Sequence, residues 1–315
     1  MQTNSKYFLC VGVKKGGTTF LYDQLREIED FFLPPIKETH FLLPLSKQRK
    51  NRFKEILSYK LKENTFIKNI SDEIFLKKYF YDNDEDTIHN YLKLLNCDKS
   101  KICGEVDPEL LLLDKNKIIE LSKFNINVVI ILRHPIDRFF SHIKMISKKV
   151  NENPNILIKN NFSKYHHQIN HSYYRVFLRN WLNNFPKQNL LFIDNKSLRS
   201  NRYDAMLKIY RFIKRDHKAK LNHSLILKRD SNVGSSISLD RKLYESLFVF
   251  FKKDIELYEK IINHLYFRLW LMMKSFRSIS TLYLRLSLSQ AKIFKNSMVV
   301  GIEETLQILY HQKNY

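Results

Sequence analysis

Tyr7-Phe-Leu-Cys-Val-Gly-Val-Lys-Lys-Gly-Gly-Thr-Thr-Phe20 is the stretch from which the rest of the chain is read. Tyr7–Val11 is apolar and rich in aromatic and β-branched residues, the composition of a buried strand. Gly12 ends it, and Gly16 and Gly17 follow, so three of the chain's six glycines fall within six positions. From Thr18 to Ile28 the apolar residues Phe20, Leu21, Leu25 and Ile28 recur at helical spacing behind two hydroxyl residues suited to a helix start. A strand, a glycine-rich turn and a helix N-terminus together make an anion site, because free N–H groups and the helix dipole aim at one point.

The spacing Gly12-x4-Gly17 is close to that of a phosphate-binding loop. Such a loop continues Gly-Lys-Ser/Thr, the lysine reaching the β/γ-phosphates and the hydroxyl holding magnesium. Here Thr18 occupies the lysine position, and Lys14 and Lys15 lie inside the loop instead. The later apolar strand Val128–Leu132 ends in Arg133 and not in an acidic residue able to hold Mg²⁺. The pattern predicts an anion handled without metal.

A length of 315 residues, 44% of them hydrophobic, allows one large domain or two small ones with an ample core. The formal charge of +22 favours anionic partners: a multiply phosphorylated nucleotide, an acidic polymer, nucleic acid or an anionic membrane face. The competing reading is a lysine-rich genome composition, visible also in the abundant Asn and Ile. Three cysteines (Cys10, Cys97, Cys103) form no disulfide framework. Met1–Lys6 is too short and polar for a secretory signal, and no run of 18 uncharged apolar residues occurs, so a cytoplasmic protein is expected.

These residues resemble the sulfotransferases that use 3′-phosphoadenosine 5′-phosphosulfate (PAPS), and within them the carbohydrate, heparan-sulfate-type O- and N-sulfotransferase branch. Gly12-Val-Lys-Lys-Gly-Gly-Thr-Thr19 looks like that family's 5′-phosphosulfate loop. Lys37-Glu-Thr-His-Phe41 resembles its Lys-Glu-x-His-Phe segment. Asn127–Ser141 is similar to its 3′-phosphate motif, a strand ending in Arg-x-Pro with a serine eight residues after the arginine. Gly104-Glu-Val-Asp-Pro-Glu-Leu110 resembles the Gly-Glu-x-Ser/Thr-Pro-x-Tyr turn that borders the acceptor pocket, with Asp107 in place of the hydroxyl residue and Leu110 in place of the aromatic. The polar loop Lys228–Ser236 resembles a flexible loop closing over the 3′-phosphate and adenine, an ordinary surface loop being the alternative. The likeness covers about residues 5–262.

The resemblance implies an α/β fold, a P-loop-like central parallel sheet flanked by helices, with a sulfotransferase domain at 1–262; the stretch 263–315 beyond it reads from its own pattern as a basic helical extension. It implies that Gly16, Gly17, Thr18 and Thr19 hold the 5′-phosphosulfate, that Lys15 stabilises charge on the leaving phosphate and the moving sulfuryl group, and that Lys14 is secondary. Arg133, Ser141, Lys228, Arg229 and Gly234 fall on the 3′-phosphate side. Glu38 is the expected general base, with Lys37 and His40 flanking it to tune its proton affinity; a plain ion pair from Glu38 to Lys37 is the alternative. PAPS is the expected donor, no metal is required, and the expected acceptor is a hydroxyl or amine of a glycan and not a nucleic acid.

Further expectations concern the remaining elements. Tyr79–Leu95, Tyr173–Phe185, Ser197–Ile213 and Leu239–Leu257 read as helices. Arg138 reads as solvated or ion-paired, Glu105 as a partner of a loop lysine, and His166, His167 and His171 as surface or core residues. Lys47–Lys54 is a basic run, either a rim attracting an acidic acceptor or a solvated helix face. In the extension, Lys274, Arg277, Arg285, Lys292 and Lys295 share one side of a continuous helix and Met272, Phe276, Ile279, Leu282, Leu286 and Ile293 the other. Such a helix packs on the catalytic domain or on a second copy in a homodimer, or lies peripherally on an anionic membrane. Two rival classes stay open: a nucleotide kinase or NTPase with an altered loop, which requires Mg²⁺, and a non-catalytic binder of acidic polymers, supported by charge alone.

Overall fold

The structure is a computed structural model that describes residues 6–43, 67–82, 87–225 and 237–276. The basic run at 47–54, the loop carrying Lys228, Arg229 and Gly234, and the extension beyond 276 lie outside the described residues.

Five strands form one parallel sheet: β1 (Tyr7–Cys10), β2 (Phe31–Phe32), β3 (Ile102–Val106), β4 (Ile126–Leu132) and β5 (Leu190–Asp194). Their order is β2-β3-β1-β4-β5. The apolar run of β4 is buried at all seven positions, as a central strand covered on both faces must be. β1 lies between β3, where Cys10 pairs with Val106, and β4, where Cys10 pairs with Val129. Because the chain leaves β1 for β2 on one side and later reaches β4 on the other, a crevice opens beyond the carboxyl end of β1, the place where open parallel sheets bind ligands.

The helices of the first half are α1 (Thr18–Arg26), α2 (Ile70–Lys77), α3 (Ile88–Leu95), α4 (Lys115–Ser122) and α5 (Pro135–Val150). Those that follow are α6 (Pro154–Asn161), α7 (His166–Asn170), α8 (Phe177–Asn184), α9 (Asn195–Ser200), α10 (Arg202–Lys214) and α11 (Arg241–Phe276). One apolar cluster joins Phe20, Leu21 and Leu25 of α1 and Met206, Ile209 and Ile213 of α10 to Phe8, Cys10, Val129 and Ile131 of the sheet. A second joins Ile136, Phe139 and Ile143 of α5 to Leu157 of α6 and Leu247, Phe251 and Ile255 of α11. Compact packing divides the chain after His264, within α11. No helix among the described residues is long and apolar enough to cross a membrane.

Several elements depart from the sequence expectations. Tyr79–Leu95 is not one helix: α2 passes into a π-helical turn at Lys78–Asp82, and α3 starts afresh where the Thr87 hydroxyl accepts the Asn90 N–H at 3.1 Å. Ser197–Ile213 is split at Asn201, whose extended φ of −139° and side-chain bond to Asp204 at 2.6 Å end α9 and begin α10. The helix expected from Tyr173 begins only at Phe177. Gly104-Glu-Val106 is strand and not turn, and among the described residues Glu105 pairs with no lysine: it accepts from the Thr39 N–H at 2.7 Å and from the Tyr91 hydroxyl. Arg138 is fully buried and not solvated, its guanidinium donating to Ser172 Oγ at 2.6 Å and to the Gln168 carbonyl, so that it ties α5 to the α7 region.

Gly104 lies opposite Phe8 in the pairing of β3 with β1. A Cβ there would stand 2.4 Å from the Phe8 ring and 2.5 Å from the Phe8 carbonyl. The ring can rotate, but the carbonyl belongs to the sheet. Gly104→Ala should therefore cost about 2 kcal/mol in denaturant unfolding, in the range typical of overpacked cores; an unchanged midpoint would show that the sheet yields there.

Candidate active site

The β1–α1 loop is built to leave donors open. Gly17 occupies the N-cap of α1 at φ 103°, a conformation that glycine reaches without penalty, and no side chain caps the helix. No acidic residue lies in the first turn. The orphan N–H groups at a helix start ordinarily find a Ser, Asp or Asn cap; here that place is empty of side chains. Thr18 is buried and Thr19 half-buried beside it.

The loop itself is clamped from two strands. Lys15 sits at φ 67°, which costs a non-glycine residue about 1–2 kcal/mol, and its carbonyl accepts from Arg133 Nη1 at 2.8 Å. The Gly16 carbonyl accepts from Asn195 Nδ2 at 2.6 Å. Arg133 follows β4 and Asn195 follows β5, so the parallel sheet delivers both clamps to the same edge. The sequence expectation for Arg133 is a phosphate contact; its bond to the Lys15 carbonyl, and the part of Asn195, are not in that expectation. The only hint was an asparagine directly after a strand.

Around this loop positive charge accumulates. Burial lowers the proton affinity of Lys15, and the neighbouring charges of Arg133, Lys148 and Lys37 lower it further. Among the described residues no carboxylate lies at ion-pair distance from Lys15, Arg133 or Lys148; the Lys15 ammonium meets the Met145 sulfur at 3.7 Å. Ser141, Lys144, Met145 and Lys148 recur at i, i+3, i+4 and i+7 along α5, the spacing of one helix face. Ser141 is half-buried. That stripe was legible in the sequence, yet only Ser141 was read from it.

Lys14 points elsewhere. Its ammonium pairs with Glu109 Oε1, while His167 Nε2 and His171 Nε2 approach Glu109 Oε2 at 3.1 and 3.0 Å. The three side-chain groups of Glu109, His167 and His171 lie within 4.8 Å of one another, a grouping that the sequence reading did not find. Burial penalises the Glu109 charge, but the two imidazoles and Lys14 outweigh it and hold the carboxyl far below its usual range. Burial pushes His171 down to about 4. Glu109 with three donors is a satisfied buried carboxylate.

The segment Lys37–His40 forms the other wall. Glu38 and His40 both adopt left-handed backbone, at φ 64° and 55°. Two buried carboxylates at the end of β3 hold this shape: Glu105 takes the Thr39 N–H, and Asp107 Oδ2 takes the His40 N–H at 3.1 Å and the His40 ring Nδ1 at 2.9 Å. Lys37 and Glu38 are ion-paired with each other. Burial raises the proton affinity of Glu105, and the Asp107 charge adds to it. Of the site residues named from the sequence, the structure thus gathers Lys14, Lys15, Gly16, Gly17, Thr18, Thr19, Glu38, His40, Arg133 and Ser141 around the carboxyl edge of the sheet. Lys228, Arg229 and Gly234 are outside the described residues.

The family model for the sulfotransferase domain matches residues 5–233, well over half of the chain. The chain belongs to that family, whose chemistry is sulfuryl transfer. Among solved structures it is similar to a sulfotransferase from Alicyclobacillus acidocaldarius, with a TM-score of 0.52 and 16% identity over 83% of this chain and 96% of that one. It is also similar to the sulfotransferase domain of the Synechococcus PCC 7002 olefin synthase, with a TM-score of 0.47 and 16% identity over 75% and 83%. Comparison with curated proteins gives no match. At such identity the first of these structures supports the α/β fold and nothing finer.

Asn195 offers the most direct check of the clamp. Asn195→Ala removes one bond and leaves the buried Gly16 carbonyl unpaired, so it should cost about 1–2 kcal/mol in denaturant unfolding. Stability equal to that of the unmodified protein would mean that Arg133 alone holds the loop.

Proposed function

We propose that the chain transfers a sulfuryl group from PAPS to a hydroxyl-bearing acceptor, with a carbohydrate as the leading acceptor class. The observation that carries the donor assignment is the cluster of Lys15, Arg133, Lys148 and Lys37 around an uncapped helix start. The donor set fits a nucleotide with an anionic group at each end: main-chain N–H groups of Gly17–Thr19 for the 5′-phosphosulfate, the Gly16 N–H being taken by the Val13 carbonyl at 2.9 Å, and the remaining N–H groups of Arg133, with Ser141, for a 3′-phosphate. The carbohydrate assignment is supported by the Lys-Glu-x-His-Phe resemblance of Lys37–Phe41.

When bound, the donor supplies an electrophilic sulfur and a phosphate leaving group. Lys15, on the loop that binds that phosphate, neutralises charge building there, as positioned cations do in phosphoryl transfer. Lys37 stands within Coulombic range of Lys15 and holds Glu38 on the acceptor side. Glu38 and His40 are the two groups of this wall able to take the acceptor proton.

Calorimetric titration with adenosine 3′,5′-bisphosphate should give the same affinity with and without a chelator. Binding of ATP that requires Mg²⁺, with no binding of the bisphosphate, would instead favour a nucleotide kinase. Lys15→Ala should lower transfer of labelled sulfate from PAPS to heparosan by ~10²–10³-fold while the protein stays folded; near-normal turnover would remove Lys15 from the mechanism.

A further inference from the structure

We propose that Glu109, His167 and His171 form a binding site for one Zn²⁺ ion, beside the donor loop and apart from its chemistry. The proposal does not rest on the sulfuryl-transfer reading.

The ligand atoms come from two elements that the fold brings together. Glu109 follows Pro108 in the turn after β3, its N–H accepted by Asp107 Oδ1 at 2.9 Å. His167 lies in α7, and His171 is the C-cap residue of that helix, still in helical conformation. A spacing of four puts both imidazoles on one face, as in helical histidine pairs that hold zinc. Both rings meet the carboxylate through Nε2 and at the same oxygen, Oε2, at 3.1 and 3.0 Å. A tetrahedral ion with bonds of about 2.0–2.1 Å sets its ligand atoms about 3.3–3.4 Å apart, so each ring needs to draw back from Oε2 by only about 0.3 Å. The two rings stand within 4.8 Å of each other at their ligand atoms, and His167 is the one that adjusts. Its side chain is 52% exposed, against 7% for Glu109 and 0% for His171. The exposed ring also marks the way in from solvent, and water supplies the fourth ligand from that side.

Two features go beyond a carboxylate that collects hydrogen bonds. Oε1 serves Lys14, and both imidazoles converge on the other oxygen, so three ligand atoms gather at one point. Nothing else aims the His171 ring: its buried Nδ1 has no hydrogen-bond partner, and its direction is set by what meets Nε2. Arg138 then holds the pair in place. Fully buried, it donates to the Gln168 carbonyl and to Ser172 Oγ at 2.6 Å, and Ser172 Oγ donates to the Pro135 carbonyl at 2.9 Å. Gln168 and Ser172 directly follow His167 and His171, so one guanidinium fixes both ligand positions against α5. Metal sites depend on such supporting bonds as much as on the ligands.

Two imidazoles with one carboxylate suit zinc and its transition-metal neighbours, whereas Mg²⁺ and Ca²⁺ take oxygen. The charges of Lys14 and Arg138 oppose a dication, which sets the expected affinity in the micromolar range and not in that of closed four-ligand sites. Lys14 keeps Oε1, so the donor loop is undisturbed.

The untagged full chain, stripped with a chelator and returned to metal-free buffer, is titrated with Co²⁺ as the spectroscopic stand-in for zinc. One equivalent should bind with the strong visible absorption of four-coordinate cobalt, and Zn²⁺ but not Mg²⁺ should abolish the band. His167→Ala replaces a half-exposed ring and leaves Glu109 with Lys14 and His171, so its thermal unfolding should stay close to normal. It should weaken Co²⁺ binding at least ~10–100-fold. In long-range ¹H–¹⁵N spectra of the imidazoles, Zn²⁺ should shift Nε2 of two histidines, one of them absent from His167→Ala. No band at millimolar Co²⁺, or undiminished affinity in His167→Ala, overturns the proposal and leaves a hydrogen-bonded cluster only. Spectra of the unmodified protein in which Zn²⁺ shifts no histidine Nε2 overturn it whether or not the variant folds.

Discussion

Like charges gathered in a half-buried place repel, and the β1–α1 loop carries such a gathering. Two unit charges ~6 Å apart at an effective dielectric of ~20 interact by about 3 kcal/mol. Lys15 has Arg133, Lys148 and Lys37 within Coulombic range and no carboxylate at ion-pair distance among the described residues. Of the acidic side chains nearby, Glu109 is engaged by Lys14 and two histidines, Glu38 by Lys37 and Asp107 by His40, while Asp137 acts on Arg133 through its charge. The loop is thus left electropositive by the way the surrounding carboxylates are used, and an anion at the α1 N-terminus relieves both the charge excess and the unpaired N–H groups.

Rigidity at the site comes from the sheet. Lys15, Glu38 and His40 adopt left-handed backbone, and each is pinned by a side chain from a strand end: Arg133 after β4 for Lys15, Glu105 and Asp107 at the end of β3 for the Lys37–His40 segment. Strain of ~1–3 kcal/mol per residue persists only where the surroundings overdetermine it, and such residues concentrate at functional sites. The other two described non-glycine residues with positive φ, Asn151 and Arg215, are helix C-caps and have an ordinary explanation.

What could be read in the chain beforehand was whatever one local stretch decides. The strand, turn and helix of Tyr7–Ile28 and the apolar run of β4 announce themselves by composition and period, and Arg133 follows from its place at a strand end. The pieces that escaped are those made by long-range partners. Nothing near Asn195 in sequence says that its amide meets Gly16, 179 residues away. Asp107 looked like a lapse from a motif until His40, 67 residues earlier, supplied its partner. Arg138 looked solvated because its acceptors, Ser172 and Gln168, belong to another element. The breaks at Lys78–Asp82 and Asn201 were missed for a different reason, as helical periodicity continues across both.

The claim on which everything else rests is that the Gly17–Thr19 amides and the Lys15 ammonium enclose the 5′-phosphate of a sulfonated adenylate. A crystal structure with adenosine 3′,5′-bisphosphate is its most direct test. The 5′-phosphate is expected against the N-terminus of α1, with the 3′-phosphate beside Arg133 and Ser141. A nucleotide bound at any other place, with the β1–α1 loop closed to it, would contradict the account.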